Sequence, residues 1–228
     1  MSRRVSSEGF TRVSDSVSRP DPSRGSVRCA ATDRDDMELS RADVEAALEA
    51  YRSTEPLYTV ESEAVETMPD AFRSGEYGRR DAQWVVRWYG RRYLGDEPAD
   101  MDRSRREDAF EGADFEAVRD AISTAVEADR GAYGAAIDAL TTLPGVDLPV
   151  ASAFLAFVHP NRFVVVGPDE WAVVRELTGL EGTYPDPPSI DEYDEYLAAC
   201  DELAERCEID PWEVYMLVWR RRTEHAEP

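Results

Sequence analysis

The sequence predicts an all-α fold built as one large domain. Three observations carry this. Apolar residues recur at helical spacing in segment after segment from Ser40 onward. Capping residues and glycines punctuate those segments. The one strand-like run, Phe163 to Val166, has no second run to pair with. At 228 residues the chain is long enough to bury a substantial core, and it contains no internal repeat.

Residues 1–36 are rich in Ser and Arg, with Pro20, Pro22 and Gly25 and no apolar periodicity, so a disordered arm is expected there. Its arginines are interleaved with Glu8, Asp15, Asp21, Asp33, Asp35 and Asp36, which weakens any reading as a basic arm. Met37 stands directly before the first helix start. The arm is therefore either part of the protein or an extension ahead of the true initiator, and the domain is expected over 37–228. Ser40 and Asp43 have the spacing of a capping pair, followed by Val44, Ala47, Leu48 and Tyr51 on one helical face. A weaker helix covers 61–73. Asp81 is expected to cap the next, with Trp84, Val85, Trp88 and Tyr89 in phase and Gly95 at its end. Asp114 caps a helix striped by Phe115, Val118, Ile122 and Val126, and Tyr133, Ile137 and Leu140 mark another. A short apolar helix covers 149–158, Pro168 opens one that runs to Leu177, and two more follow near 189–206 and 210–221 after the Pro-rich linker from Tyr184 to Pro188.

The formal net charge is -22, from 48 acidic residues against 26 basic ones, and every basic residue is Arg. Acid excess without lysine fits a protein kept hydrated in concentrated salt. The alternative is a generic acidic protein that repels nucleic acid. Cys29, Cys200 and Cys207 are too few for a disulfide scaffold, no apolar run reaches membrane-spanning length, and no apolar segment follows Arg3 and Arg4. A cytoplasmic, membrane-free protein is expected.

The most informative stretch runs from Leu143 to Trp171 and opens Leu143-Pro144-Gly145-Val146-Asp147. A tight turn at Gly145 separates two helical patterns, Leu143 and Val146 are placed to anchor it, and Pro149 suits the first turn of the next helix. This resembles the hairpin of a helix-hairpin-helix motif, and the segment to Trp171 resembles the core of the helix-hairpin-helix DNA glycosylase superfamily, the endonuclease III-like enzymes. The resemblance covers some thirty residues and implies a fold in which the turn holds a DNA phosphate through backbone amides, without reading sequence. Leu143, Pro144, Gly145, Val146 and Asp147 are then the expected DNA-binding residues. Asp147 stands where the family has a second glycine. Its carboxylate either repels a phosphate or caps the following helix itself, giving a helical hairpin that touches no DNA.

The resemblance also implies a catalytic Asp four positions before Trp171, and that position is Gly167. The nearest carboxylates are Asp169 and Glu170. Asp169 takes the catalytic role if the turn is rebuilt around it, stabilising a cation-like transition state or activating water. Otherwise it is a first-turn acid complementing the helix dipole. The Lys used by bifunctional members falls at Pro149, and the chain has no Lys, so lysine-dependent lyase chemistry is excluded. Cys200 and Cys207 match the first spacing of the iron–sulfur run of some relatives, but Asp210 and Met216 occupy the remaining places. His159 and His225 are too scattered for zinc. No metal and no cofactor is expected, and Cys200 and Cys207 read as one buried helix face.

Trp84, Trp88, Tyr89 and Tyr93 read as a core stripe rather than a stacking platform. Arg79, Arg80, Arg87, Arg91 and Arg92, with Arg103, Arg105 and Arg106, form the densest positive region. Arg87, Arg91 and Arg92 are its candidate anion-binding residues, and pairing with local acids is the alternative. With about six phosphate contacts, affinity falls by roughly five decades per decade of salt, so binding in molar salt rests on amides, stacking and a flipped nucleotide. Two functions are expected to compete. One is a DNA-repair-like protein, either a monofunctional glycosylase or a lesion binder on double-stranded DNA. The other is a non-enzymatic helical scaffold or interaction protein that keeps the fold without the site.

Overall fold

The computed structural model describes residues 39–92 and 99–226, so the arm assigned to 1–36, Cys29, Tyr93 and the helix end assigned to Gly95 lie outside the described residues. The described residues belong to one compact unit, Met37–Pro228. They form ten helices and no strand. None of these helices is long and apolar enough to cross a membrane.

The order is α1 (Arg41–Thr54), α2 (Tyr58–Ser74), α3 (Arg79–Arg91), α4 (Ala99–Glu111), α5 (Phe115–Val126), α6 (Gly134–Thr141), α7 (Leu148–Val158), α8 (Pro168–Thr178), α9 (Ile190–Cys207) and α10 (Pro211–Ala226). Helix α1 starts where its capping pair places it. The Ser40 hydroxyl accepts from the Asp43 amide, the Asp43 carboxylate accepts from the Ser40 amide, and Val44, Ala47, Leu48 and Tyr51 are buried. Helix α3 begins earlier than expected. Gly78 is the N-cap, and Asp81 sits in the first turn, accepting from the Gly78 amide at 2.7 Å. Helix α4 was not anticipated. Its sequence alternates acids and arginines with no apolar stripe, and it is held by packing against α3.

At the centre lies α7, all eleven of whose residues are buried. It is enclosed by α2, α3, α5 and α6, while α1, α8 and α9 pack around α10. The run Phe163 to Val166 is buried without a strand partner. A buried carbonyl still needs a donor, and phenols supply it. Tyr193 donates to the Val164 carbonyl at 2.9 Å, Tyr196 to that of Val165 at 3.0 Å, and Tyr89 to that of Val166 at 3.4 Å. The Val166 amide donates to the buried Ser152 hydroxyl at 3.1 Å. This tethered segment carries the chain from α7 to the start of α8.

Candidate functional site

The turn between α6 and α7 is built as its sequence requires. Leu143 and Val146 are buried, Pro144 is exposed, and Gly145 has φ 79°, the left-handed region. Asp147 caps α7, its carboxylate accepting from the Val150 amide at 3.1 Å. The second acceptor role of that carboxylate is taken by α4. Arg106 forks onto Asp147, with Nη1 to Oδ1 at 3.0 Å and Nη2 to Oδ2 at 2.6 Å. The α4 backbone also closes on the glycine. A Cβ at Gly145 would lie 2.4 Å from the Arg106 carbonyl oxygen. One face of the turn is thus covered by this chain's own helix.

At the start of α8 the two acids part company. Asp169 is 48% exposed at its side chain and accepts from Arg222 Nε at 2.7 Å. Arg222 also donates to the Arg92 carbonyl at 3.2 Å and stacks over Trp219. One position further along, Glu170 turns inward and pairs with Arg92 Nη2 at 2.6 Å, the two side chains being 1% and 0% exposed. The Arg92 guanidinium lies 4.9 to 5.6 Å from the ring centroids of Trp88, Tyr89, Tyr215 and Trp219. Arg92 therefore belongs to no surface patch. The anion it holds is Glu170, because the α3 stripe that buries Trp88 and Tyr89 carries it into the interior. Arg87 shares Glu107 with Arg103, at 3.5 and 3.8 Å, and Arg91 faces solvent. Tyr184 packs edge-on against Trp171, centroids 6.0 Å apart. Burial raises its phenol pKa, and the charges of Tyr89, Asp147, Asp186 and Glu170 add to the rise.

A further buried acid escaped sequence reasoning. Glu61 of α2 accepts from the Tyr51 hydroxyl at 2.5 Å and from Trp88 Nε1 at 2.7 Å. Burial holds its carboxyl above the ordinary value of 4.5, with Glu55 adding to the rise; the two hydrogen bonds and the Arg92 charge act in the opposite direction. The available signal was phase, since Glu61 lies on the same face as Ala64, Met68 and Phe72. A carboxyl whose folded pKa is raised binds its proton more tightly in the folded state. Its contribution is fully present below the unfolded value and is lost as pH rises through the folded one. Relative to Glu61→Gln, the wild type is expected to lose stability as pH rises from the ordinary carboxylate range through the raised folded value. Urea melts of both proteins across that range check this, and parallel profiles would refute it.

Cys200 is buried and Cys207 half-buried, both as free thiols. Burial pushes the Cys200 thiol far above its ordinary value. Among the described residues no group of three or more His, Cys, Asp or Glu side chains is placed to hold a metal ion. Compared with family models, curated proteins and solved structures, the chain matches none.

Proposed function

We propose that this protein is a non-enzymatic helical interaction protein, one that keeps a glycosylase-like hairpin core without the chemistry of that superfamily. The observation that carries this reading is the pairing of each carboxylate near the expected reaction centre with an arginine from another element. Asp147 is held by Arg106, Asp169 by Arg222 and Glu170 by Arg92. Glycosidic cleavage develops positive charge on the sugar beside its carboxylate. A guanidinium about 4 Å from that charge opposes it by ~4 kcal/mol in a protein-like dielectric, which is roughly a thousandfold in rate. The covering of Gly145 by α4 supports the same reading, since a phosphate has less of the turn to approach.

The competing reading is a monofunctional glycosylase acting through Asp169, which has the half-exposure of that side chain in its favour. A base-excision panel separates the two: duplexes carrying uracil, oxidised guanine, alkylated adenine or mismatched thymine, in molar KCl, with abasic sites revealed by alkali. No product is expected from folded protein on any of them. Product that disappears in Asp169→Asn would overturn the proposal.

A further inference from the structure

We infer that the groove between α2 and α3 is a docking site for a cationic amphipathic helix presented by another protein. The inference rests on the reading of this chain as an interaction protein and gives that reading a place and a partner chemistry.

The groove exists because α2 and α3 both lie on α7 with little direct packing between them. It encloses about 470 Å³, within the range of ligand-binding clefts. Its apolar lining comes from Val60, Ala64, Met68, Ala71 and Phe72 on α2 and Trp84 on α3. Val60 is 47% exposed, the one large apolar side chain so open among the described residues. Trp84 is anchored from below by an edge-on contact with Phe157 of α7, centroids 5.1 Å apart. Its indole N–H has no acceptor among the described residues. The indoles of Trp88, Trp171 and Trp219 donate to Glu61, Gly182 and Glu55, while that of Trp212, like that of Trp84, meets no acceptor among the described residues. A half-buried, rigid tryptophan with an unspent donor is the kind of residue on which binding energy concentrates.

Charge selects the occupant. Glu63 and Glu76 stand along the groove and are exposed. Neither carboxylate has a cationic partner among the described residues, whereas Asp147, Asp169 and Glu170 are all held by arginine. Arg80 is the one cation in the lining, against Glu63, Glu76 and Asp81. At 1.5 Å per residue the α2 residues that line the groove, Val60 to Phe72, span on the order of 18 Å, and Glu76 lies just beyond the Gly75 cap that ends the helix. A partner helix of three to four turns matches that span, laying an apolar i, i+3, i+4, i+7 face on Val60, Met68 and Trp84 with an Arg or Lys towards each glutamate. A second copy of this chain is a poor occupant, because it would bring a net charge of -22 against the same charge.

The test uses a fluorescein-labelled helical peptide of about fourteen residues with Leu at those four positions and Arg at both ends. A scrambled peptide of the same composition and a version with Glu for Arg are the controls. Anisotropy is read with the full chain, in low salt and in molar KCl. The cationic peptide is expected to bind at least about tenfold more tightly than either control, with the apolar share of the affinity surviving in KCl. Val60→Glu is expected to lower that affinity about tenfold, and Glu63→Arg/Glu76→Arg to shift the preference to the Glu peptide. Both variants change exposed side chains and keep the fold, which circular dichroism verifies. Equal binding of cationic and scrambled peptides, or unchanged affinity in Val60→Glu, would overturn the inference as mere attraction to an acidic surface. No binding up to about 1 mM overturns it as well. Base excision with groove binding intact would instead remove the functional reading and leave the groove standing.

Discussion

Arg92→Met is expected to destabilise the fold by about 3–5 kcal/mol, the largest effect of any single substitution considered. Methionine keeps much of the arginine stem in contact with Trp88 and Tyr215, so lost packing is a minor part of the cost. The major part is the Glu170 carboxylate, left without the Arg92 charge in a site where its side chain is 1% exposed. Removing one partner of a buried pair strands the other, whereas removing both exchanges charge for packing. The double variant Arg92→Met/Glu170→Leu is therefore expected to recover most of the loss. For a domain of this size the single variant should melt about 10 °C lower. Thermal and urea denaturation in KCl measure both variants. A double variant no more stable than the single would mean that the cost lies in the aromatic enclosure rather than in the ion pair.

Gly145→Ala is the second large effect, expected at about 2–4 kcal/mol. Two contributions separate cleanly because the chain contains an internal control. Gly145 and Gly182 share φ 79°, so alanine at either position meets the left-handed penalty of about 1–2 kcal/mol. At Gly182 an added Cβ would meet nothing within 4 Å. At Gly145 it would lie 2.4 Å from the Arg106 carbonyl oxygen and 3.1 Å from the carbonyl carbon, backbone atoms of α4 that move only with the helix. Overpacking of this kind adds about 1–3 kcal/mol. It would also pull Arg106 from Asp147, loosening the cap of α7. Equal losses in Gly145→Ala and Gly182→Ala would show that α4 yields freely and that the close approach carries no weight.

Much of this architecture was legible because its determinants are local. The Ser40–Asp43 pair starts α1, Asp114 caps α5, and the stripes of Val118 and Ile122 or of Ile137 and Leu140 point where periodicity puts them. Helix α4 was illegible for the converse reason. Asp, Arg and Glu fill its surface, and what fixes it is tertiary: the α3 face, Glu107 between Arg87 and Arg103, and Asp147 across from Arg106. The interior charges follow from the same periodicity as the apolar stripes. Glu61 is in phase with Ala64 and Phe72, Arg92 with Val85 and Trp88, and Glu170 with Val174. A charged residue in phase with an apolar stripe is carried into the core with that stripe, and it needs a partner there. Glu61, Arg92 and Glu170 all obey this rule and all are buried. Of the two adjacent acids Asp169 and Glu170, the fold encloses Glu170 and leaves Asp169 half-exposed.

The tyrosine hydroxyls over Val164, Val165 and Val166 have a consequence for how the chain survives crowding. Phe-Val-Val-Val is the sort of run whose bare backbone templates strand addition between molecules. Proteins usually guard such a run with a neighbouring strand or with charges on its edge. Here the guard is three phenols delivered by α3 and α9. Protection against self-templating is thus delegated to helix docking, so this segment is safe for as long as those two helices stay seated.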